Sequence, residues 1–202
     1  MTTLIIGTTN PAKIAQLQGA LASLDISVDG VRDRSQLPTV VEDGTTALEN
    51  ARTKALAYAR ALGRRVLSID NALFLDGLAP GDQPGVHVRR IGGGDAATDE
   101  DLLTHSIALI ASLGESVTGY WEYGVCIAKP DGTFAETTLR TPRVFTSKRS
   151  STMVPGYPLE SIQIDPESGR YISEMSPNEQ AAFWQRTLGE QLCAFVREHI
   201  DH

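Results

Sequence analysis

The stretch Val66-Leu67-Ser68-Ile69-Asp70-Asn71-Ala72-Leu73-Phe74-Leu75-Asp76-Gly77-Leu78 decides how this chain folds. Val66, Leu67 and Ile69 read as a short buried β-strand, the kind of apolar run that sits inside an α/β sheet. Asp70-Asn71 then falls at the strand's carboxyl end, where parallel sheets present side chains to a ligand crevice. Asp70 is therefore the first candidate for chemistry. Asp and Asn also bond their own backbone well, so a plain turn is the competing reading of the pair.

Upstream, Thr46 and Glu49 stand at capping-box spacing and open a helix that ends at Gly63, with Leu48, Ala51, Ala55 and Leu62 on a small-residue face. Asn50 and Lys54 are four apart and share a face of that helix. Glu42 and Asp43 precede it. Acidic residues suit a helix N-terminus through the helix dipole alone, and a metal carboxylate is the functional alternative. At the start of the chain, Thr3 to Gly7 reads as a strand, followed by Thr8-Thr9-Asn10-Pro11-Ala12-Lys13. Asn10 suits an N-cap and Pro11 the first helical position, while Ile14, Leu17, Leu21 and Leu24 repeat at helical spacing. Backbone N–H groups there, the Thr8 and Thr9 hydroxyls and the Lys13 ammonium form a set suited to phosphate. The Gly-x-x-x-x-Gly-Lys pattern is absent, so this is no Walker loop, and an ordinary capped helix with a solvated lysine competes with the phosphate reading. Ile26 to Val28 reads as a further short strand.

Downstream, Pro84 to Ile91 leads into a Gly92-Gly93-Gly94 loop and a helix capped by Thr98 with Asp101, its inner face carried by Leu103, Ile107 and Ile110. Val117 to Lys129, the turn Pro130-Asp131-Gly132 and Thr133 to Leu139 read as an antiparallel hairpin. Thr141 to Thr152, with Arg143, Lys148 and Arg149, reads as a solvated strand edge or loop. Leu159 to Ile164 reads as a strand. Ser176-Pro177-Asn178-Glu179 opens a last helix, whose stripe of Ala181, Trp184, Leu188, Leu192 and Phe195 belongs to the core. The expected architecture is one α/β domain over residues 1–202. It has a mixed central sheet flanked by helices, a smaller antiparallel lobe at about 117–172, and a ligand cleft between them.

The chain has 202 residues, 41% hydrophobic, enough to bury a substantial core. Its 25 acidic and 18 basic residues give a net charge of -7, which argues against duplex nucleic acid or an anionic membrane as partner. Cys126 and Cys193 lie far apart within apolar patterns and read as buried free thiols in a reducing compartment. His87, His105, His199 and His202 show no ligand spacing. The opening residues lack the regions of a signal peptide and no segment suits a membrane span, so a cytoplasmic location is expected.

Several of these signals stand in the order and spacing of the inosine triphosphate pyrophosphatase-like family, which the chain resembles over most of its length. Thr8-Thr9-Asn10-Pro11-Ala12-Lys13 resembles the family's Thr-Gly-Asn-x-x-Lys loop, with Thr9 in place of the glycine. Glu42-Asp43-Gly44-Thr45-Thr46-Ala47-Leu48-Glu49-Asn50-Ala51-Arg52-Thr53-Lys54 resembles Glu-x-Gly-x-Thr-x-x-Glu-Asn-Ala-x-x-Lys, the most specific of the blocks. Ile69-Asp70-Asn71-Ala72-Leu73 occupies the place of Asp-Asp-Ser-Gly-Leu, Pro84-Gly85-Val86 with Arg90 that of Pro-Gly-Val-x-x-x-Arg, and Ala97-Thr98-Asp99 fits as well. The C-terminal third departs from the pattern where the family reads the nucleobase. Pro155-Gly156-Tyr157-Pro158 lacks the aspartate of Phe-Gly-Tyr-Asp-Pro, Gln180 replaces a lysine, and Trp184-Gln185-Arg186 stands for Ser-His-Arg.

The resemblance implies Mg²⁺-dependent hydrolysis of a nucleoside triphosphate to the monophosphate and pyrophosphate by a homodimer. It implies Glu42 and Asp70 as metal ligands, Asp70, Lys13 and Lys54 as catalytic residues, and Thr8, Thr9, Asn10, Asn50, Asn71, Arg90, Gly156, Tyr157, Gln185 and Arg186 as further substrate contacts. The changed base-reading residues imply altered base specificity, and a modified pyrimidine nucleotide is among the substrates that remain open. The alternative from another class is a nucleotide-binding protein of this fold with weak or no catalysis.

Overall fold

The computed structural model describes residues 3–31, 35, 37–91 and 97–200. The Gly92-Gly93-Gly94 loop and His202 therefore lie outside the described residues. Strand β1 (Thr3–Ile6) leads through α1 (Pro11–Ala20) to β2 (Ser27–Gly30), and α2 (Ala47–Leu62) returns the chain to β3 (Val66–Leu75). Helix α3 (Asp99–Leu113) precedes the hairpin of β4 (Ser116–Ala128) and β5 (Phe134–Thr146). A two-residue β6 (Gln163–Ile164), α4 (Pro177–Trp184) and α5 (Glu190–His199) complete the chain. The strands form one mixed sheet in the order β2-β1-β3-β4-β5-β6, with β1 parallel to both neighbours and β6 antiparallel to β5. Among the described residues no helix is long and apolar enough to cross a membrane.

Two compact units share this chain. The first comprises residues 1–71, 122–139 and 180–202, and the second residues 72–121 and 140–179. In the first unit, Ala51, Ala55 and Ala59 of α2 pack on Ile5, Val66, Cys126 and Ala128. A buried methyl contributes little by itself, but small residues let a helix approach a sheet closely. At Gly124 the approach is backbone on backbone: a Cβ there would lie 2.2 Å from Ala47 C and Leu48 N. Only glycine allows the first turn of α2 to rest on β4 in this way. The second unit packs α3 through Leu102, Leu103 and Ile110 against Leu73, Leu75, Phe145, Leu159 and Ile162. Both cysteines are free and buried, as their apolar surroundings predict.

Four readings of the chain change. β3 does not stop at Ile69 but runs through Asp70 and Asn71 to Leu75, because Leu73 and Leu75 are buried in turn and Phe74 stacks on Tyr120 at 5.0 Å. β5 continues to Thr146, since Thr141, Arg143 and Phe145 alternate into the interior and Val144 and Phe145 pair with β6. Residues Pro158–Ile162 form a 3₁₀ turn, held by the Ser161 hydroxyl donating to Pro158 O at 2.6 Å, and only two residues of the expected strand remain. The last helix is interrupted by a π turn at Gln185–Gly189. There the Gln185 amide, oriented to satisfy both its ends, donates to Gly19 O and Ala20 O at 3.1 and 3.0 Å, closing the carbonyl end of α1.

Candidate active site

α1 takes the chain from β1 outward to β2, and α2 brings it back across β1 to β3. Right-handed crossovers in opposite directions place the two helices on opposite faces of the sheet. The carboxyl end of β1, where its pairing with β3 stops at Leu67, is then a point where strand order reverses, the usual position of a ligand crevice in such sheets.

The hydrogen-bond ladder shows how that crevice is built. Ile5 N–H donates to Arg65 O at 3.2 Å and Gly7 N–H to Leu67 O at 2.8 Å. The next acceptor on this edge of β3 is Ile69 O, but by then β1 has turned toward α1. The Lys13 ammonium takes the vacated place, donating to Ile69 O at 3.2 Å. Asn10 fixes the turn that delivers it: its Oδ1 accepts from Ala12 N–H at 2.9 Å and Lys13 N–H at 3.4 Å, while Thr8 Oγ1 accepts from Asn10 N–H at 3.2 Å. Two of the amides read as phosphate donors are thus bonded to the cap. Thr9, half-buried, follows Thr8 in the same loop.

On the α2 side, Asn50 Nδ2 donates to Asp70 Oδ2 at 2.9 Å, and Asn50 Oδ1 accepts from Gly44 N–H at 2.9 Å. One turn further along α2, Lys54 Nζ lies 2.8 Å from Glu42 Oε2. Asn50 and Lys54 are buried, at 4% and 8% exposure, so their polar ends are committed to these partners or to a ligand. The capping box of α2 is complete, with Glu49 accepting from Thr45 and Thr46 and its carboxyl held below the usual range, most of all by the Thr45 hydroxyl. Alternation along β3 directs Asn71 to the face opposite Asp70. Its Oδ1 is buried and lacks a hydrogen-bond partner among the described residues.

Other expected residues belong to the second unit or to the C-terminal helices. Gly156 and Tyr157 belong to a loop of the second unit, where Gly156 N–H donates to Asp99 Oδ2 at 2.7 Å and Gly156 O accepts from Arg89 at 3.2 Å. Burial pushes the Asp99 carboxyl up, but the Gly156 N–H and the Arg89 guanidinium outweigh it and hold the group below its ordinary value. Sequence reasoning singled out Arg90 and missed Arg89, whose adjacent charge gave no signal of its own. Arg90 lines a cavity of about 380 Å³ in the second unit, walled largely by apolar side chains such as Leu73, Ile110 and Phe145. None of that cavity's lining residues belongs to the carboxylate and lysine cluster. Gln185 closes the end of α1, and the exposed Arg186 lies over the Phe183 ring at 5.7 Å. Gly124, which seats α2 and hence Asn50, was also missed, since a glycine within a strand pattern does not reveal which backbone crosses it.

Residues 4–189 match the model of the Ham1 family. The chain belongs to the Ham1 family. Its membership agrees with the inosine triphosphate pyrophosphatase-like resemblance. It is 31% identical over 204 residues to a dITP/XTP pyrophosphatase of Streptomyces avermitilis, covering 98% of both chains. It is 37% identical over 110 residues to a dITP/XTP pyrophosphatase of Streptococcus pyogenes, a match covering 54% of this chain and 33% of that protein. The chain thus spans about a third of that relative's length. The solved structure of a HAM1 protein from Coxiella burnetii superposes with a TM-score of 0.70 at 22% identity, covering 98% of this chain and 100% of that one, and shares the fold.

The family implies a divalent cation. Among the described residues no cluster of three or more His, Cys, Asp and Glu forms a ready cage for a metal. Mg²⁺ does not need one: it takes one or two carboxylates and completes its shell with water and substrate phosphate. Glu42 and Asp70 supply oxygen donors only, and Asp70 Oδ1 carries no hydrogen bond among the described residues while Oδ2 is held by Asn50. This donor chemistry fits a hard cation.

Proposed function

We propose that the chain hydrolyses a nucleoside triphosphate to its monophosphate and pyrophosphate in a Mg²⁺-dependent reaction. The observation supporting this reading is the joint placement of Lys13, Asn50, Lys54, Glu42 and Asp70 beside the carboxyl end of β1, the middle of β3 and the first half of α2. A triphosphate repels an incoming oxygen nucleophile, so the site must neutralise the substrate and the pyrophosphate that leaves. Lys13 and Lys54 bring two ammonium groups, each now resting on an oxygen that a phosphate would replace. Asp70 orients the attacking water and accepts its proton. Glu42 and Asp70 would hold Mg²⁺, which supplies charge neutralisation at the phosphates when bound. The relatives, named as dITP/XTP pyrophosphatases, point to deaminated purine nucleotides. Gln180 in place of a lysine and Trp184-Gln185-Arg186 in place of Ser-His-Arg support an altered base preference.

The test is a panel of purine and pyrimidine nucleoside triphosphates assayed for pyrophosphate release, with Mg²⁺ and with chelator, beside Asp70→Asn. Turnover should require the metal, fall on the order of 10²-fold or more in Asp70→Asn, and be best with a substrate other than inosine or xanthosine triphosphate. Nucleotide binding without any pyrophosphate release would overturn the catalytic reading. Inosine triphosphate as the clear best substrate would overturn the altered preference.

A further inference from the structure

We infer that Asn50 is a positioning residue, a clamp that fixes the Asp70 carboxylate and the Glu42-Asp43-Gly44 loop in one arrangement, rather than a contact to substrate. The inference deepens the proposed reaction and rests on that reading for its catalytic consequence. Its structural basis is the pair of hydrogen bonds at the two ends of one buried amide. Asn50 Oδ1 accepts from Gly44 N–H and Asn50 Nδ2 donates to Asp70 Oδ2, each at 2.9 Å. An amide has one acceptor end and one donor end, so the Gly44 N–H dictates which way the side chain faces. The NH₂ group is then left pointing at Asp70.

The surroundings give the amide little freedom to turn away. Asn50 is 4% exposed and sits in the first turn of α2, which Gly124 seats on β4. A Cβ at Gly44 would come within 2.7 Å of Asn50 Oδ1, so the loop also touches the amide closely enough to exclude a side chain there. Glu42 lies two residues before Gly44 and is paired with Lys54, one turn beyond Asn50. The two carboxylates read as metal ligands come from distant parts of the sequence, and Asn50 is bonded to the loop of one and the side chain of the other. Orienting partners of this kind commonly account for about 10- to 100-fold in metal affinity or activity.

Two variants separate the ends of the clamp. Asn50→Asp keeps the acceptor for Gly44 N–H and removes the donor to Asp70, whereas Asn50→Ala removes both. Three measurements are made on each and on the unaltered chain: exchange protection of the Gly44 amide by NMR, Mn²⁺ affinity by water-proton relaxation, and steady-state pyrophosphate release. The Gly44 amide should stay protected in Asn50→Asp and lose protection in Asn50→Ala. In both variants Mn²⁺ affinity and kcat should fall about 10-fold or more, with KM for the nucleotide changing far less. Wild-type Mn²⁺ affinity and kcat in Asn50→Asp would overturn the clamp, as would a loss confined to KM, which marks a substrate contact. If the unaltered chain releases no pyrophosphate, the proposed function fails instead. Gly44 protection and Mn²⁺ affinity then decide the clamp without it.

Discussion

Lys54 is 8% exposed, and a lysine that deep in a folded chain is there for a partner. Its ammonium lies 2.8 Å from Glu42, whose side chain is 41% exposed, so solvent weakens the pair and it adds little to stability. A triphosphate arriving at the same place would find a cation already desolvated and aimed. Lys54→Met keeps the aliphatic stem and removes only the charge. Its kcat/KM for the preferred triphosphate should fall on the order of 10²-fold while the melting temperature barely moves, as parallel kinetics and thermal melts would read. A large loss of stability with near-normal kinetics would assign Lys54 to the fold alone. At this scale the sequence was informative, because Asn10, Lys13 and Asn50 are polar residues at helix starts, Lys54 shares a helix face with Asn50, and Asp70 is a strand's polar interruption. It was silent about the partner of each, since the Asn50–Asp70 contact joins residues 20 apart and depends on how α2 is seated.

Among the elements, the 3₁₀ turn Pro158–Ile162 carries a buried acid. Glu160 is 5% exposed, and burial raises its carboxyl from the ordinary 4.5 to about 8, with the Arg143 charge of β5 opposing the shift. An acid whose folded pKa is raised binds its proton more tightly folded than unfolded. The stability that proton confers is fully present below about pH 4.5 and is lost progressively as pH rises toward about 8. Glu160→Gln carries no proton to lose. The difference in unfolding free energy between Glu160→Gln and the unaltered chain, measured by urea denaturation, should therefore grow from about pH 5 to about pH 8. A difference that stays flat over that window would show that Glu160 ionises in the folded chain without penalty. The element itself was misread as a strand because Leu159, Ile162 and Ile164 are apolar in either conformation. Local bonding from Ser161 to Pro158 O, not the apolar pattern, selects the turn.

For the whole molecule, neither compact unit is a continuous segment of chain. The boundaries at 71/72, 121/122 and 139/140 fall inside β3, β4 and β5, so they are hydrogen-bonded strand rather than linker. A fragment of residues 1–71 contains β1, α1, β2, α2 and most of the site, yet lacks Cys126 and Ala128, against which α2 packs, and α5 beside α1. Such a fragment should show no cooperative thermal transition by circular dichroism, whereas the full chain should melt cooperatively. A sharp transition in the fragment would mean that the first unit's N-terminal part holds its own core.

The α/β class and the caps at Asn10, Thr46 and Thr98 were legible in the sequence, because each rests on patterns spanning a few residues. The extent of β3 and β5, the π turn at Gln185–Gly189 and the partners of Asn50, Arg89 and Gly124 were not. Those depend on which distant backbone comes alongside: β6 beside β5, the end of α1 beside Gln185, the first turn of α2 on Gly124. Asp70 shows the division most clearly. Its identity and its neighbours along the chain marked it as a candidate carboxylate. That it lies within a strand, held at one oxygen by an amide from α2, follows from packing between elements that are distant in sequence.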